Sequence, residues 1–582
     1  MIHSFSVTSA SRLLIAIVIV WLLVIFVITG PLIGWSHNRD DGNVDMNSNG
    51  EMILARLSRA MNELTALKAQ NEELRSLLQN YLPIDLSVTS GQQSDAKSSS
   101  LKSSYFPSQE YELSRRRVEF NMNELWHFLR TKTNSSIMQF VNQIKHNMFY
   151  DLEVIEKRDN IWRKSEFKRL NDLVKNKINE LQNPVKDKCG STKKLICQLN
   201  KGCGFGCQIH HLVYCMIVAM ATKRTLIMNS QNWRYAQSKS KGSSNKGWDS
   251  VFLPLSQTCL DDSGSSRISW SSSSDLDIYQ VVDLPIIDSM RSRPDYLPLS
   301  IPEELTQSLV QLHGAPIVWF IGQIVSFLMR PSQEMSDYIK KQKERFNFRG
   351  PIVGVHVRRT DKIGTEAAFH PLAEYMKFVA DYYDRLDLFY ERNQTNTKVE
   401  RLVYLATDDS SLWSKEIKPF EDMGYIFIGD SQISQTASLG RRYSIDSLRN
   451  IILDIWLLSE TEFLVCTFSS QVCRLAYELM QTRIEPKSYS TKLDKSSAYY
   501  SLDDIYYFGG QSDHNQIAIL NHKSQNSHEI DLKIGDVVGI AGNHWNGYSK
   551  GLNRETKQNG LYPGFKTNEK IASAHFKLFE SN

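Results

Sequence analysis

Apolar and polar positions follow several different periods along the chain, and each period predicts a different kind of element. From Leu13 to Ser36 there is no charged residue, and Leu13 to Ile28 is almost wholly aliphatic. That length crosses a hydrocarbon core of ~30 Å as a helix. From Ile53 to Tyr81 the positions Ile53, Leu57, Ala60, Leu64, Leu67, Asn71, Leu74, Leu78 and Tyr81 alternate by four and three. This is a heptad seam, in which one polar core residue fixes register; packing on the chain's own domain would satisfy the same pattern. Pro83 ends that helix. A second helical pattern runs from Glu110 to Leu181, with apolar Leu125, Phe128, Leu129, Ile137, Phe140, Val141 and Ile144.

Beyond Pro351 the period changes. Ile352–Val357, Leu402–Ala406 and Phe463–Cys466 are short β-rich runs, separated by helical stretches such as Ala373–Tyr382 and Ser447–Leu458. Strands alternating with helices predict a parallel sheet with helices on both faces. Residues 186–350 mix short apolar runs with loops, including low-complexity stretches at Gln237–Gly247 and Ser263–Ser274. A linker over Glu485–Ser497 leads to a β-rich tail. The chain therefore divides into a cytosolic tail (1–12), a transmembrane anchor (13–35), a stem and coiled coil (36–107), a helical region (108–185), an open α/β subdomain (186–350), a second α/β subdomain (351–498) and the tail (499–582).

A cleaved signal peptide competes with the anchor. The apolar stretch exceeds the ~7–15 residues of a signal core, and no small-x-small site follows cleanly. Arg12 before the span, against Arg39, Asp40 and Asp41 after it, favours a short cytosolic N-terminus and a lumenal body. The formal charge of +4 gives no reason to propose nucleic acid as a partner. Eight cysteines, an even number, read as four disulfides in an oxidising lumen. Zinc is the alternative at Cys203-x3-Cys207, with His210 and His211 close by. Asn134 and Asn393 head N-glycosylation sequons.

Polar clusters at the strand ends carry the candidate chemistry, because ligands of open α/β sheets sit beyond the carboxyl ends of the strands. His356-Val-Arg358-Arg359-Thr-Asp361-Lys362 follows the first run, with Glu366 close behind. Where the chain leaves the strand, both guanidiniums can converge on one anion, since the guanidinium fork matches phosphate oxygens; a solvated surface pair is the bland reading. Cys466-Thr-Phe-Ser469-Ser470-Gln471-Val-Cys473 lies between strand and helix, with Ser469 or Ser470 as the cap of a helix N-terminus open to phosphate. Asp408-Asp409 lacks the D-x-D spacing of metal-using sugar transferases and reads as a non-metal pair. Lys201-Gly-Cys-Gly-Phe-Gly-Cys207 lets backbone approach a ligand closely, a weak signal alone.

Together the segments KGCGFGCQIHH, SQNWRYA, GVHVRRTDKIGTEAAFHP, LATDD, ILDIWLLSE, FLVCTFSSQVCRLAYE and SLDDIYYFGGQ closely resemble the eukaryotic α-1,6-fucosyltransferases, the core-fucosylating enzymes of N-glycans. The match runs from about Cys189 onward, with the same anchor and coiled coil before it. The resemblance implies an α/β, GT-B-like catalytic region with a Rossmann-type GDP-fucose-binding subdomain, followed by an SH3-like β-barrel. It implies an inverting transfer from GDP-β-L-fucose to O6 of the innermost GlcNAc, with no metal or other cofactor. It also implies a Golgi type II membrane protein that dimerises through the coiled coil and SH3-like domain. By the same resemblance Arg358 and Arg359 hold the donor, His356 and Asp454 recognise guanine, Tyr235 lies at the nucleoside, and Ser470 and Gln471 sit by the phosphates. Glu366 is the general base with Lys362 beside it. Asp361, Lys201, Asp288 and His544 line the acceptor, and Tyr375, Asp408 and Asp409 are required without a separable role. The family's disulfide pairing is Cys189–Cys259, Cys197–Cys215, Cys203–Cys207 and Cys466–Cys473, which leaves no cysteine for zinc.

In the tail, Glu529–Asp536, Trp545 and Gly560-Leu-Tyr-Pro563 follow the order of SH3 domains, but Ile519-Leu520-Asn521-His522 replaces the usual tyrosines. A proline-helix groove needs those aromatics, so an acceptor-gripping or dimer-forming module is expected. Gln237–Gly247 and Asn393–Lys398 are longer than the family's loops. A protein O-fucosyltransferase, a membrane-tethered SH3 adaptor and an inactive homologue are the competing readings. The first lacks the coiled coil and SH3-like tail, the second belongs in the cytosol, and the third conflicts with the motif acids and bases all being present.

Overall fold

The computed structural model describes residues 106–580, apart from 231–232, 237–246, 271–275, 291–292, 298–299, 362, 365–367, 394–398, 439, 486–491, 509–513 and 544. The tail, anchor, stem and coiled coil expected over 1–107 therefore lie almost wholly outside the described residues, as do Lys362, Glu366 and His544. Among the described residues no single helix is long and apolar enough to cross a membrane.

The region read as one helical stretch forms three helices: α1 (Gln109–Lys132), α2 (Ser135–Lys157) and α3 (Asn160–Gln182). The first break falls where Asn134 caps α2 by accepting a hydrogen bond from the Ile137 amide at 3.0 Å. The apolar positions of α2 do not all face a core: Ile137, Phe140, Ile144, Met148 and Ile155 form an exposed stripe.

Two parallel sheets carry the body. The first has the order β2-β1-β4-β3, from β1 (Lys194–Gln198), β2 (Thr225–Asn229), β3 (Arg267–Ser269) and β4 (Val281–Asp283). The buried helix α4 (Phe205–Ala221) joins β1 to β2. Edge strand β3 lies inside the stretch expected to be low-complexity loop, held by pairing to β4 and by Arg267 gripping Asp283. Next come the short strand β5 (Ser300–Pro302) and the helices α5 (Glu303–Leu312), α6 (Pro316–Leu328) and α7 (Gln333–Arg345).

The second sheet is the predicted one, built from β6 (Ile352–Val357), β7 (Arg401–Thr407), β8 (Tyr425–Ile428), β9 (Phe463–Cys466) and β10 (Tyr499–Ser501) in the order β10-β9-β6-β7-β8. Val353, Val355 and Val357 bury one face under α8 (Leu372–Arg392). Ile352, Leu402 and Tyr404 bury the other with α9 (Ile445–Ser459) and α10 (Gln471–Met480). Helices thus cover both faces, as the alternating pattern requires.

The expected division at 498/499 cuts through this sheet, because β10 pairs in parallel with β9. Nor is the described part of 485–497 a free linker: Lys492 meets Glu119 at 2.6 Å, and buried Asp494 accepts from the Gly314 amide at 3.0 Å. The tail forms a five-stranded antiparallel sheet, β14-β13-β12-β11-β15, from β11 (Asn515–Ala518), β12 (Val537–Asn543), β13 (Tyr548–Asn553), β14 (Asn559–Pro563) and β15 (Thr567–Glu569). Its Trp545 ring packs into the body, 5.4 Å from His127 and 5.3 Å from Tyr500. After this sheet β16 (Ala572–Ala574) pairs with β5 of the first subdomain, and the Lys577 and Leu578 amides donate to the Ala221 and Met220 carbonyls at the end of α4. Residues 103–582 therefore pack as one unit rather than as separable modules.

Candidate functional site

In each parallel sheet the chain lays strands first on one side of its opening strand and later on the other. In the first sheet the chain moves from β1 to β2 and later returns to lay β4 on the other side of β1. In the second it moves from β6 through β7 to β8, then returns to lay β9 beside β6. Side connections diverge at such a switch point and leave a crevice beyond the carboxyl ends of the two strands. The polar clusters picked out from sequence lie there. His356–Arg359 leaves β6 and Thr467–Gln471 leaves β9. Lys201 follows β1 and Asp288 follows β4, and the two meet as an ion pair at 2.7 Å.

The Arg358–Arg359 loop is shaped by Asp408 at the end of the neighbouring strand. Its carboxylate accepts from the Arg359 amide at 2.8 Å, the Thr360 amide at 3.1 Å, the Thr360 hydroxyl and the Arg358 guanidinium. Asp409 accepts from the Ser411 amide at 3.0 Å and from Arg359 at 3.2 Å. These carboxylate oxygens are spent on protein donors, so the DD pair works as a clamp on the loop.

The two guanidiniums take different carboxylate partners. Arg359 is buried, bound by Glu416 at 2.5 and 3.0 Å and donating to the His370 carbonyl at 2.9 Å. Glu416 also accepts from the Leu372 amide at 2.7 Å, so this arginine ties the loop to the start of α8. Tyr375, on the next turn, is buried beside it; burial raises its hydroxyl well above the ordinary range. Arg358 keeps to the crevice side, bound to Asp361 and Asp408. Asp361 is shared with Arg442 at 3.0 Å. Burial pushes this carboxyl up, but the Arg442 hydrogen bond and the Arg358 charge outweigh it and hold it down at about 2. Asp361 thus belongs to the arginine cluster; Lys201 and Asp288 form their own pair.

On the same face of the sheet, burial lowers His356 to about 4. Burial also raises Asp454 to about 7, against the opposing hydrogen bond that Tyr404 donates to it at 2.7 Å. Tyr235 packs its ring 5.1 Å from Tyr443, next to Arg442 in sequence, so the first subdomain meets the second here. Among the described residues, His356 Nδ1, Ser469 Oγ and Arg442 Nη2 are buried polar atoms near this crevice without a hydrogen-bond partner.

Two helix N-termini also meet here, those of α4 and α10, with Gly206 against Gln471. Ser470 occupies the cap position of α10 but makes no side-chain capping bond, contrary to expectation, and Gly204 at the start of α4 has no side chain to cap with. Disulfides Cys203–Cys207 and Cys466–Cys473 bracket these two starts. Cys189–Cys259 and Cys197–Cys215 complete the implied pairing, and no cysteine is free. Among the described residues the group with metal-ligand spacing, Cys197, His211 and Cys215, has its two sulfurs joined to each other. That removes zinc.

Arg442, Glu416 and Tyr404 were not singled out from sequence, and His210 was named only as a neighbour of a zinc alternative. Arg441-Arg442-Tyr443 ahead of the helix-capping Ser444 was the available signal for Arg442; the others become visible only through their partners.

The family model for the N- and catalytic domains of α-(1,6)-fucosyltransferase matches residues 3–507. An α-(1,6)-fucosyltransferase of Drosophila melanogaster is 37% identical over 99% of this chain and 98% of its own length. One from Caenorhabditis elegans is 42% identical over 67% of this chain and 66% of its own. Among solved structures, the fucosyltransferase NodZ from Bradyrhizobium is 14% identical, with 49% of this chain and 92% of that chain covered, but its TM-score of 0.27 is too low to bear weight. On the match of the family model and the end-to-end identity to the Drosophila enzyme, the chain belongs to the α-1,6-fucosyltransferase family.

Proposed function

We propose that this enzyme transfers L-fucose from GDP-β-L-fucose to O6 of the innermost, Asn-linked GlcNAc of N-glycans, with inversion and without a metal ion. The observation that carries the reading is the meeting of two uncapped helix N-termini with Arg358 and Arg442 at the sheet switch points. A GT-B-like frame with a Rossmann-type donor subdomain accounts for two parallel sheets whose crevices open in this way.

The chemistry follows from charge. As the sugar departs, negative charge grows on the β-phosphate of GDP, and fixed donors must stabilise it. Helix N-termini supply unpaired amides and the positive end of a dipole. Arg358 supplies a guanidinium already aimed by Asp361 and Asp408, and Ser470 and Gln471 add donors at the start of α10. Arg359 serves through position, by fixing the loop that bears Arg358. His356 and Asp454 recognise guanine and Tyr235 packs at the nucleoside. Glu366 takes the proton of the acceptor hydroxyl during attack, with Lys362 tuning its charge. Lys201, Asp288, Asp361 and His544 line the acceptor.

The anchor and lumenal body make this a type II Golgi membrane protein, a reading supported by four disulfides. The tail is an SH3-like module with its Trp545 turned into the body, which suits an acceptor or dimer contact rather than a peptide groove. Self-association through the coiled coil and this module is joined by the exposed apolar stripe of α2.

The test is incubation of the detergent-solubilised full chain with GDP-fucose and a GlcNAc-terminated biantennary N-glycan in excess chelator. The expected result is a mass gain of one fucose, α-linked at O6 of the innermost GlcNAc by NMR. Arg358→Ala should lower the rate by ~10²–10³-fold, the usual cost of a lost transition-state donor, and Glu366→Gln should lower it further. No transfer overturns the reading. Transfer only with added divalent metal overturns the metal-free part alone.

A further inference from the structure

We propose that His210 is a positioning residue: it holds the Gln471 carboxamide by its oxygen, so that the amide NH₂ is turned toward the diphosphate of the donor. This rests on the donor-site reading above and deepens it.

The geometry is a buried chain of four residues across the two subdomains. His210 Nδ1 lies 2.9 Å from Gln471 Oε1. His210 Nε2 lies 3.0 and 3.1 Å from the two oxygens of Glu478. The Tyr506 hydroxyl donates to Glu478 Oε1 at 2.8 Å. Glu478 is fully buried, His210 nearly so, and the Phe508 ring packs on the imidazole at 5.0 Å. A buried carboxylate needs hydrogen-bonding partners, which the Tyr506 hydroxyl and the imidazole supply. The other ring nitrogen faces Oε1 of Gln471, which can only accept, so in this arrangement Nδ1 donates.

The consequence concerns which end of an amide faces the crevice. Asn and Gln amides present a donor at one end and an acceptor at the other. Phosphate oxygens only accept, so the amide helps only when its NH₂ faces them. Because His210 engages Oε1, Nε2 is left for the ligand. The Gln471 stem is held as well. Gly206 lies one helical turn before His210 on the same face of α4, and a Cβ there would come within 2.8 Å of the Gln471 Cβ. Glycine at 206 and histidine at 210 thus grip one side chain at its root and its head.

The experiment is a double-mutant cycle on the full chain, with affinity for GDP and for guanosine measured by titration calorimetry and folding followed by near-UV circular dichroism. His210→Phe keeps the ring volume and removes both hydrogen bonds. It should raise the Kd for GDP about tenfold or more, the scale of a hydrogen bond to a charged group, and leave guanosine, which has no phosphates, within about twofold. In a Gln471→Ala background the same replacement should change GDP affinity by less than about twofold, because the residue it acts through is gone. Gln471→Glu keeps the shape and still accepts from His210, yet turns an oxygen outward; it should lose GDP affinity at an unchanged Tm. If His210→Phe does not fold, Gly206→Ala takes its place in the cycle with the same expectations. The inference is overturned if His210→Phe weakens GDP and guanosine alike, if the loss is undiminished without Gln471, or if Gln471→Glu binds GDP like the wild type. A wild-type chain that does not bind GDP overturns the donor reading itself, and this inference with it.

Discussion

Glu416 grips Arg359 through both terminal nitrogens of the guanidinium, at 2.5 and 3.0 Å, and in the same place accepts the Leu372 amide that opens α8. One ion pair thereby fixes the start of a helix and the loop that bears Arg358. Neighbouring arginines in sequence are given opposite tasks.

Arg359→Ala should therefore act on stability first. Removing one partner of a largely buried pair costs about 3 kcal/mol, and thermal denaturation should show the loss, with GDP affinity of the folded fraction changed little. Arg358→Ala should do the reverse, raising the Kd for GDP at nearly constant Tm. An Arg359→Ala protein with wild-type Tm and lost GDP affinity would return Arg359 to the phosphate.

Asp454 predicts a pH dependence. Burial raises its folded pKa to about 7, against ~3.9 for an unfolded aspartate. The folded state then holds the extra proton between those values, so this residue's contribution to stability falls as pH rises from about 4 to 7 and is level beyond. Guanine presents N–H donors, which favour the ionised carboxylate. GDP binding should release a proton near pH 7 and tighten between pH 6 and 8, as calorimetry in buffers of different ionisation enthalpy would report. Asp454→Asn should flatten both curves; a wild type with no proton release would count against guanine recognition here.

Phe576 is fully buried, 5.8 Å from Phe320 and 6.0 Å from Tyr296 by ring centroids. Phe576→Ala should cost about 3–5 kcal/mol, visible as a lower urea midpoint although the residue lies far along the chain from the first subdomain. A loss under about 1 kcal/mol would mean that this segment only rests on the surface.

Gly322 on α6 lets α10 approach: a Cβ there would lie 2.2 Å from the Glu478 carbonyl oxygen, a backbone atom that can yield only if the helix moves. Gly322→Ala should destabilise by about 2 kcal/mol and weaken GDP binding together, since α10 also bears Gln471. Unchanged Tm and GDP affinity would show that α10 shifts freely.

Much of the second sheet was legible in sequence because its strands are continuous apolar runs ending in polar clusters; β6 and β9 fall where those runs stop. The different partners of Arg358 and Arg359 follow strand alternation continued past the end of β6. Val357 packs on the α8 side, and Arg359, of the same parity, continues to that side. Strands β3 and β10 escaped because three residues carry no period; they exist through their neighbours. The stripe on α2 was legible only as an apolar face, because periodicity does not report what covers it. His210 looked like a metal candidate beside Cys207 because sequence spacing cannot reveal a glutamine and a glutamate 261 and 268 positions away.

The pairing of β16 with β5 ties synthesis to architecture. Folding during translation favours units that close as they emerge, but the first subdomain cannot close until residues 572–579 have been made. Until then the apolar bed around Phe320 and the last carbonyls of α4 stay uncovered, a surface that holding chaperones would recognise. A premature stop after the antiparallel sheet would spare the sequence motifs of the site and still leave a nascent protein that fails inspection.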